Sequence, residues 1–330
     1  HRSLRRQRQM CIRDRYTGDG STSNAITGLD FSPDWVWIKR RNNNNPHFLN
    51  DSVRGATKDL RSDNTDAETT NNQYGILKSF DSNGFTVSVG STNGARANTS
   101  GGTFASWNWK ESATVGFDIV SYTGNGSSRT ISHSLSAVPK LIILKNRSEA
   151  FDWRTYTTVI DGSMDYVFLN KTDAKSDDSV SVPTSSVFSL DNSNQTNKNG
   201  NNFIAYLFAD VKGYSKFGSF TGNGNADGTF IYLGFRPAFV IVKKTSGTGN
   251  WAINDTKRDI NSTYGNDASL YANTNDAETT SSSLNIDLLS NGMKLRSDNS
   301  SYNGSGGTYI YLAFAESPFV NSNGVPTNAR

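Results

Sequence analysis

Three five-residue stretches decide how this chain is organised: YTGDG at residues 16–20, YTGNG at 122–126 and FTGNG at 220–224. In each case the second glycine is followed 13 residues later by a proline and, six residues after that, by a lysine. These residues are Pro33, Pro139 and Pro237, and then Lys39, Lys145 and Lys243. The stretches start 106 and 98 residues apart, which is the size of a small domain and far longer than a solenoid or propeller repeat. The pattern predicts three tandem repeats.

Each repeat has the pattern of an all-β fold. The runs between proline and lysine, 34–38, 140–144 and 238–242, are apolar on both faces, as expected of central buried strands. Turns followed by alternating strands are predicted at 83–89 and 291–295, and aromatic-rich closing strands at 104–109, 203–208 and 309–314. With six to eight strands in each repeat, we expect three tandem antiparallel β-sandwich domains of about 100 residues.

The predicted domain boundaries follow from the repeat and from the start of the chain. We expect repeats at residues 16–115, 116–212 and 213–319, followed by a C-terminal tail at 320–330. Lead-in strands are predicted at 116–122 and 213–220, directly before the glycine turns. The lead-in strand of the first repeat is expected to be truncated.

Residues 5–15, RRQRQMCIRDR, equal the translation of a common transposase-fragmentation sequencing adapter, so residues 1–15 are interpreted as an artefact of assembled environmental DNA. Without them, Lys plus Arg fall from 33 to 27 and Asp plus Glu from 30 to 29, so the net charge changes from +3 to −2. The basic character and the single cysteine, Cys11, disappear with the segment. We expect residues 1–15 to bury little apolar area, except that Cys11 and Ile12 could imitate the missing lead-in strand.

The remaining composition excludes several classes of protein. It is rich in Asn, Ser, Thr, Asp and Gly, which disfavour helices, and it contains no apolar run long enough to span a membrane. Without cysteine, neither a disulfide nor a thiolate metal site is expected. We therefore predict no cofactor, no metal site, no nucleic-acid partner and no membrane insertion.

A binding site is predicted eight residues after the repeated lysine, Lys39, Lys145 or Lys243, where an aromatic side chain precedes polar ones. An aromatic ring near Asn, Asp and Arg can clamp a sugar by stacking on its face while the polar groups bond its hydroxyls. The alternative is a strand end with a structural Asp–Arg pair, and the middle repeat departs from the pattern. The candidate residues are His47, Asn50, Asp51, Arg54, Trp153, Trp251, Asn254, Asp255 and Arg258.

Two further patterns are interpreted as structural. The pairs Trp35 with Trp37 and Trp107 with Trp109 each lie on one strand face and are replaced by ordinary core residues in the other repeats, which predicts a core position. The motif DAETT at 66–70 and 276–280 offers paired acids, but its spacing is not that of a calcium loop. The middle repeat has Lys175 in place of the glutamate, so a solvated turn is predicted.

Evidence for catalysis is thin. Outside the artefact only His47 and His133 are histidines, and the sequence has neither a nucleophile elbow nor a phosphate-binding loop. Two carboxylates would suffice for a glycosidase, so a glycan depolymerase remains as an alternative to the non-enzymatic interpretation.

Several motifs in each repeat resemble a domain family of unknown function repeated in tail-fibre-like structural proteins of marine bacteriophages. The resemblance is carried by YTGNGSSRTISHSLSAVPKLIILKNRS, GYSKFGSFTGNGNADGTFIYLGFRPAFVIVKKT, DAETT and GGTYIYLAFAE, and it covers nearly all of residues 16–319. A second similarity, to H-type lectin sandwiches, rests on Pro-x-Val-x-Val, Gly-Phe-x-Val and an aromatic last strand.

The resemblance implies a virion component outside the cell: a tail-fibre segment for attachment to host-surface glycan, or for spacing. Recognition would then lie in the variable loops. The implied partners are a host cell-surface glycan and other virion tail proteins, with a homotrimer as one expected assembly. The alternatives are a secreted bacterial carbohydrate-binding protein and the glycan depolymerase.

Overall fold

The computed structural model describes residues 10–70, 72–258, 267–281 and 285–315. In these residues the regular secondary structure is almost entirely antiparallel strand, which confirms the all-β prediction. The helical segments there are one turn of α-helix, α1 (Asn194–Asn197), and two 3-10 turns at Asn72–Tyr74 and Ala113–Val115.

The strands follow the three sequence repeats. The first repeat contains β1 (Met10–Thr17), β2 (Asn24–Thr27), β3 (Trp35–Arg40), β4 (Phe48–Asp51), β5 (Ile76–Asp81), β6 (Gly84–Ser88) and β7 (Thr103–Trp109). The second contains β8 (Phe117–Thr123), β9 (Arg129–Ser132), β10 (Leu141–Asn146), β11 (Arg154–Thr157), β12 (Asp165–Phe168), β13 (Ser176–Asp177), β14 (Val187–Leu190) and β15 (Asn202–Phe208). The third contains β16 (Ser215–Thr221), β17 (Phe230–Tyr232), β18 (Pro237–Lys244), β19 (Ala252–Asp255), β20 (Asp267–Tyr271), β21 (Thr279–Ser281), β22 (Ile286–Leu289), β23 (Gly292–Leu295) and β24 (Thr308–Ala315).

Four strands of the main sheet come in the same order in every repeat, and the second and third repeats add two more at one edge. The orders are β1-β7-β3-β4, β8-β15-β10-β11-β12-β13 and β16-β24-β18-β19-β20-β21. The strand at the repeated proline is β3, β10 or β18. It is hydrogen-bonded to a neighbour on both sides, which confirms the prediction of a central strand. The closing strand lies beside it, between the central strand and the lead-in strand.

A small sheet covers one face of each main sheet and completes a sandwich. The small sheets are β2-β6-β5, β14-β9 and β17-β23-β22. In the first repeat, Val36 and Ile38 of β3 pack against Ile26 and Phe85 of the small sheet, in an apolar cluster confined to that repeat. The other two repeats have corresponding clusters. Alternate residues of the central strands thus form the sandwich cores.

The opposite face of each main sheet contributes to a single core that the three repeats share. Trp35, with Trp37, Trp107 and Trp109, belongs to this cluster, which confirms their prediction as core residues. The second and third repeats supply residues at the equivalent strand positions: Leu141, Ile143, Tyr206, Phe208, Phe239, Ile241, Leu312 and Phe314. A central strand that is apolar on both faces therefore contributes to two cores: the sandwich core of its own repeat and the core that all three repeats share.

The glycine turns that open the repeats are held by a buried asparagine. In the first repeat, Asn98 Nδ2 donates to Asp19 Oδ1 at 2.8 Å and to the Ser21 carbonyl at 2.9 Å, while the Asp19 amide donates to Asn98 Oδ1. A Cβ on Gly18 would lie 2.1 Å from the Thr99 carbonyl, and Gly20 has φ +74°, so only glycine fits both places. Asn197 and Asn303 do the same in the other repeats.

Strand β1 occupies the lead-in position that β8 and β16 hold in the other repeats. Its backbone pairs with β7 from Met10 opposite Trp109 to Thr17 opposite Thr103. Part of the segment interpreted as an artefact thus completes the first main sheet. Residues 1–9 lie outside the described residues.

Candidate functional site

The predicted sugar-clamp residues are all buried, and most of them lie at the borders between repeats. Asn50 and Asn254 are the exceptions, because they bond atoms of their own repeats. Trp251, the residue on which the interpretation depends most, is 1% exposed. A sugar stacks only on an aromatic face that solvent can reach, so the sugar-clamp interpretation is wrong for this cluster. The other buried members are His47, Asn50, Asp51, Arg54, Trp153, Asn254, Asp255 and Arg258.

The ring nitrogens of the three aromatic residues bind the backbone of a neighbouring repeat. Trp153 of the second repeat donates to the Arg61 carbonyl of the first at 2.7 Å. Trp251 of the third repeat donates to the Phe168 carbonyl of the second at 2.9 Å. His47 of the first repeat closes the cycle, because its Nε2 lies 2.9 Å from the Tyr271 carbonyl of the third.

His47 is held neutral between two partners. Its Nδ1 accepts a hydrogen bond from Trp37 Nε1 at 2.7 Å, so the ring proton must be on Nε2, from which it donates to Tyr271. Burial lowers the pKa of His47 well below its usual value. A neutral, enclosed imidazole with both nitrogens bonded is a structural group, not an accessible acid or base.

In the first repeat, Asp51 and Arg54 form a fully buried ion pair that reaches the second repeat. Arg54 also donates to the Leu49 carbonyl at 3.0 Å, and Tyr206 of the second repeat donates its hydroxyl to Asp51 at 2.6 Å. Burial opposes the charge on Arg54, but Asp51, Tyr206 and Glu68 together more than offset this and raise its pKa. Every charge here has a partner, as a low-dielectric site requires.

The third repeat contains the same arrangement. Arg258 pairs with Asp255 at 2.6 Å, and Asp255 accepts a hydrogen bond from Trp107 of the first repeat at 3.2 Å. Trp107 and Tyr206 occupy equivalent places on their closing strands, since Trp107 lies opposite Trp37 and Tyr206 opposite Ile143. The contact therefore repeats around the molecule.

The middle repeat departs from this arrangement on both sides of its border. Thr157 stands where Asp51 and Asp255 stand, because all three lie opposite the central-strand residue that follows the proline by two positions. The residue of the third repeat equivalent to Tyr206 and Trp107 is Leu312, which has no hydrogen-bond donor. The middle repeat therefore has no aspartate at this border, and the facing residue of the third repeat, Leu312, is apolar.

The DAETT loops dock on the neighbouring repeat, so the prediction of a solvated turn is wrong for their glutamates. The Glu68 amide donates to the Arg147 carbonyl at 3.0 Å, and its carboxylate pairs with the Arg147 guanidinium at 2.8 Å. Likewise the Glu278 amide donates to the Arg41 carbonyl at 2.8 Å, and its carboxylate accepts from Arg41 Nε at 2.9 Å. Each glutamate also contacts the buried arginine of its own repeat.

Here too the middle repeat changes both partners. The Lys175 amide donates to the Thr245 carbonyl of the third repeat at 2.9 Å, so the backbone contact is kept. Its side chain has a cation in place of the glutamate, and the position held elsewhere by Arg41 and Arg147 is held by Thr245. In this repeat Lys175 replaces the glutamate and Thr245 replaces the arginine. An arginine at that position would have repelled the lysine.

The lysine of each repeat is also buried at a border and donates to backbone carbonyls of the neighbour. Lys39 Nζ lies 3.2 Å from the Asn275 carbonyl, Lys145 Nζ 2.8 Å from that of Thr65, and Lys243 Nζ 2.8 Å from that of Asp173. Burial lowers the pKa of all three lysines from 10.5 to about 8.

Stability is therefore expected to rise with pH between about 8 and 9.5. In that range the folded chain releases protons from these lysines that the unfolded chain still holds, and the state that binds fewer protons is favoured as pH increases. Urea unfolding at pH 7 and at intervals to pH 9.5 measures the slope. Lys145→Met should reduce that slope by about a third; an unchanged slope in this variant would contradict the assignment to the buried lysines.

One group of acids in the described part of the chain comes close enough together to hold a cation: Asp161, Asp165 and Asp177. The Lys175 ammonium already lies among them, at 3.1, 2.6 and 2.7 Å from their carboxylates. The lysine thus occupies the position between the three carboxylates and offsets one of their negative charges.

Comparing the repeats with one another would have found the border residues that the sequence interpretation missed. Three cross-border pairs, Glu68 with Arg147, Glu278 with Arg41, and Lys175 with Thr245, change together. Each repeat thus contacts the next in a closed cycle. We call the three aromatic contacts, Trp153 with Arg61, Trp251 with Phe168 and His47 with Tyr271, the cyclic lock.

Comparison with known proteins assigns almost the whole chain to one family. The model of the family described as Domain of unknown function (DUF7483) matches residues 11–318. No curated protein matches the chain. In the described residues no helix is long and apolar enough to cross a membrane.

Proposed function

Since this chain belongs to the DUF7483 family, whose function is unknown, we propose its function from its architecture: a rigid, non-enzymatic segment of a phage tail fibre, used for host-surface attachment. A fibre segment outside the cell must resist proteases and hold the tip of the fibre in a fixed position. The resemblance to repeats of tail-fibre-like proteins supports the virion setting, and the geometry supports the mechanical role.

The observation that carries the mechanical part is the common core beneath the cyclic lock. Trp35 of the first repeat stacks on Tyr206 of the second, with ring centres 4.5 Å apart and planes 17° apart. Trp109 of the first repeat packs against Phe314 of the third at 6.0 Å. Buried contacts of this kind tie the three repeats into one body that leaves only loops and outer sheets free to vary.

The buried acids and bases support the non-enzymatic part. Asp51, Asp255, Arg54 and Arg258 are all paired and closed to solvent, and His47 is neutral and doubly bonded. A general acid or base must reach the atom that it protonates or deprotonates. These groups instead stabilise the borders.

Immunogold labelling of particles from a sample in which this gene is detected tests the virion assignment. Antibodies raised against the whole chain should label phage tails. Label on bacterial cells or in particle-free medium, with none on tails, would instead favour the secreted carbohydrate-binding protein. Release of reducing ends from host polysaccharide by the purified chain would favour the depolymerase and contradict the non-enzymatic role.

A further inference from the structure

The outer sheet of the third repeat differs from its two equivalents by exposing aromatic side chains. Phe230 and Tyr232 on β17 are 43% and 60% exposed, and Leu289 on β22 is 37% exposed. Two residues apart on one strand, the rings of Phe230 and Tyr232 face the same side of the sheet. Tyr232 and Leu289 are both register partners of Gly292 on β23, so the three side chains lie together. We call Phe230, Tyr232 and Leu289 the aromatic platform.

The glycine beneath the platform sets the position of one ring. A Cβ on Gly292 would lie 2.9 Å from the Phe230 ring. The ring therefore lies over the backbone of β23, where a side chain would otherwise stand. A flat apolar surface on a supported sheet results, with β17 at the sheet edge.

The register shows that the other repeats have no such platform. Ile26, Ile131 and Ile231 are equivalent, because they lie opposite Phe85, Phe188 and Met293 in their small sheets. The residues flanking these isoleucines are Ala25 and Thr27 in the first repeat, Thr130 and Ser132 in the second, and Phe230 and Tyr232 in the third. The first and second repeats thus have small or hydroxyl side chains at these two positions, and the third has two large rings. Both rings are exposed, so they do not enlarge the buried core.

A pocket of about 340 Å³ adjoins the platform and supplies charged groups. Tyr232 lines both surfaces, and the pocket is also lined by Asp210, Lys212 and Lys216. Lys216 Nζ donates to the Tyr232 carbonyl at 2.7 Å and lies 5.4 Å from the centre of its ring. The pocket therefore places two ammonium groups and one carboxylate beside an exposed aromatic face.

We propose that the aromatic platform and the adjoining pocket bind an acidic, pyranose-containing polysaccharide. A pyranose presents an apolar C–H face that packs on an aromatic ring, while its hydroxyl and carboxylate groups reach outward. The excess of lysine over aspartate in the pocket favours a sugar that carries negative charge. This inference rests on the proposed attachment function and gives it a surface and a ligand class.

The size of the platform argues against a second copy of the chain as its occupant. Three side chains that are at most 60% exposed offer on the order of 300 Å², whereas a stable interface needs roughly 800 Å² from each partner. A single sugar unit fits the smaller surface. Multiple copies in a fibre would then multiply a weak individual affinity.

Affinity electrophoresis of the full chain in gels containing polygalacturonate, with dextran as the neutral polysaccharide, tests the inference. Polygalacturonate should retard the chain more strongly than dextran does. Tyr232→Ala and Phe230→Ala should each weaken binding about tenfold, because truncation removes a stacking surface. Lys212→Gln should weaken binding to polygalacturonate, while its retardation by dextran, measured against a gel without polysaccharide, should stay unchanged.

Val182→Ala is the matched control, since Val182 is an apolar side chain of the second repeat that is 48% exposed. Its mobility in both gels should equal that of the parent, and circular dichroism should show that every variant is folded. Equal retardation of Tyr232→Ala and the parent, or no retardation by polygalacturonate, overturns the inference. So does a Tyr232→Ala variant that sediments as a smaller species than the parent. Immunogold label on phage tails would keep the proposed function standing in each of these cases.

Discussion

Trp35→Ala is expected to lower the free energy of unfolding of the whole chain by about 3–5 kcal/mol, the usual cost of truncating a buried tryptophan. Trp35 is 1% exposed and contacts rings from two repeats: Trp109 at 4.6 Å and Tyr206 at 4.5 Å. A cavity at this point removes contacts from both repeats at once.

The form of the unfolding curve is as informative as its midpoint. Because the three repeats share one core, we expect a single urea transition that shifts as a whole, whether followed by tryptophan fluorescence or by far-ultraviolet circular dichroism. Val182→Ala should change the stability by no more than about 0.5 kcal/mol. A curve in which only about a third of the dichroism shifts would show instead that the repeats unfold independently.

The strands could be predicted from the sequence because their pattern is local. Val36 and Trp37 point to opposite faces of β3, and both are apolar, so a strand buried on both sides was expected. The sandwich explains only one of these faces. What covers the other face depends on residues about 170 and 200 positions away, such as Tyr206 and Phe239, and no local pattern shows that contact.

For the same reason, the sequence could not decide between a sugar site and a structural Asp–Arg pair in the Asn–Asp–Arg motif, and the structure shows the pair. Asp51 and Arg54 look like a polar cluster near an aromatic ring, which is also the composition of a sugar site. The Tyr206 hydroxyl that approaches Asp51 lies 155 residues further along the chain. Whether such a cluster is open or closed is decided by tertiary packing, and here packing closes it.

The asparagine that holds each glycine turn did leave a signal in the sequence. Asn98, Asn197 and Asn303 each precede a glycine by three residues and a closing-strand aromatic residue by six. Each is buried and bonds the turn at the opposite end of its repeat. Asn, Ser and Gly are common in turns, so the composition of these loops alone does not reveal the role of the asparagine. The constant spacing distinguishes the structural asparagine from its neighbours.

Arg54→Ala is expected to lower the free energy of unfolding by about 3–5 kcal/mol, because it leaves the Asp51 carboxylate buried without its cation. Both side chains are inaccessible to solvent. The control is Arg296→Ala: Arg296 pairs with Asp287 at 2.5 Å, but both side chains are 37% exposed. Water and salt screen that pair, so its loss should cost at most about 1 kcal/mol.

A double variant separates the unpaired charge from lost packing. Removing Asp51 together with Arg54 eliminates the buried carboxylate, so Asp51→Ala/Arg54→Ala should be destabilised by clearly less than the sum of the two single variants. Urea unfolding of all four proteins in one buffer gives the coupling energy. Additive losses would mean that Arg54 acts through packing and its backbone hydrogen bonds alone. A coupling above about 1 kcal/mol would assign the strength of this border to the ion pair, which the middle repeat replaces with Thr157 opposite an apolar neighbour.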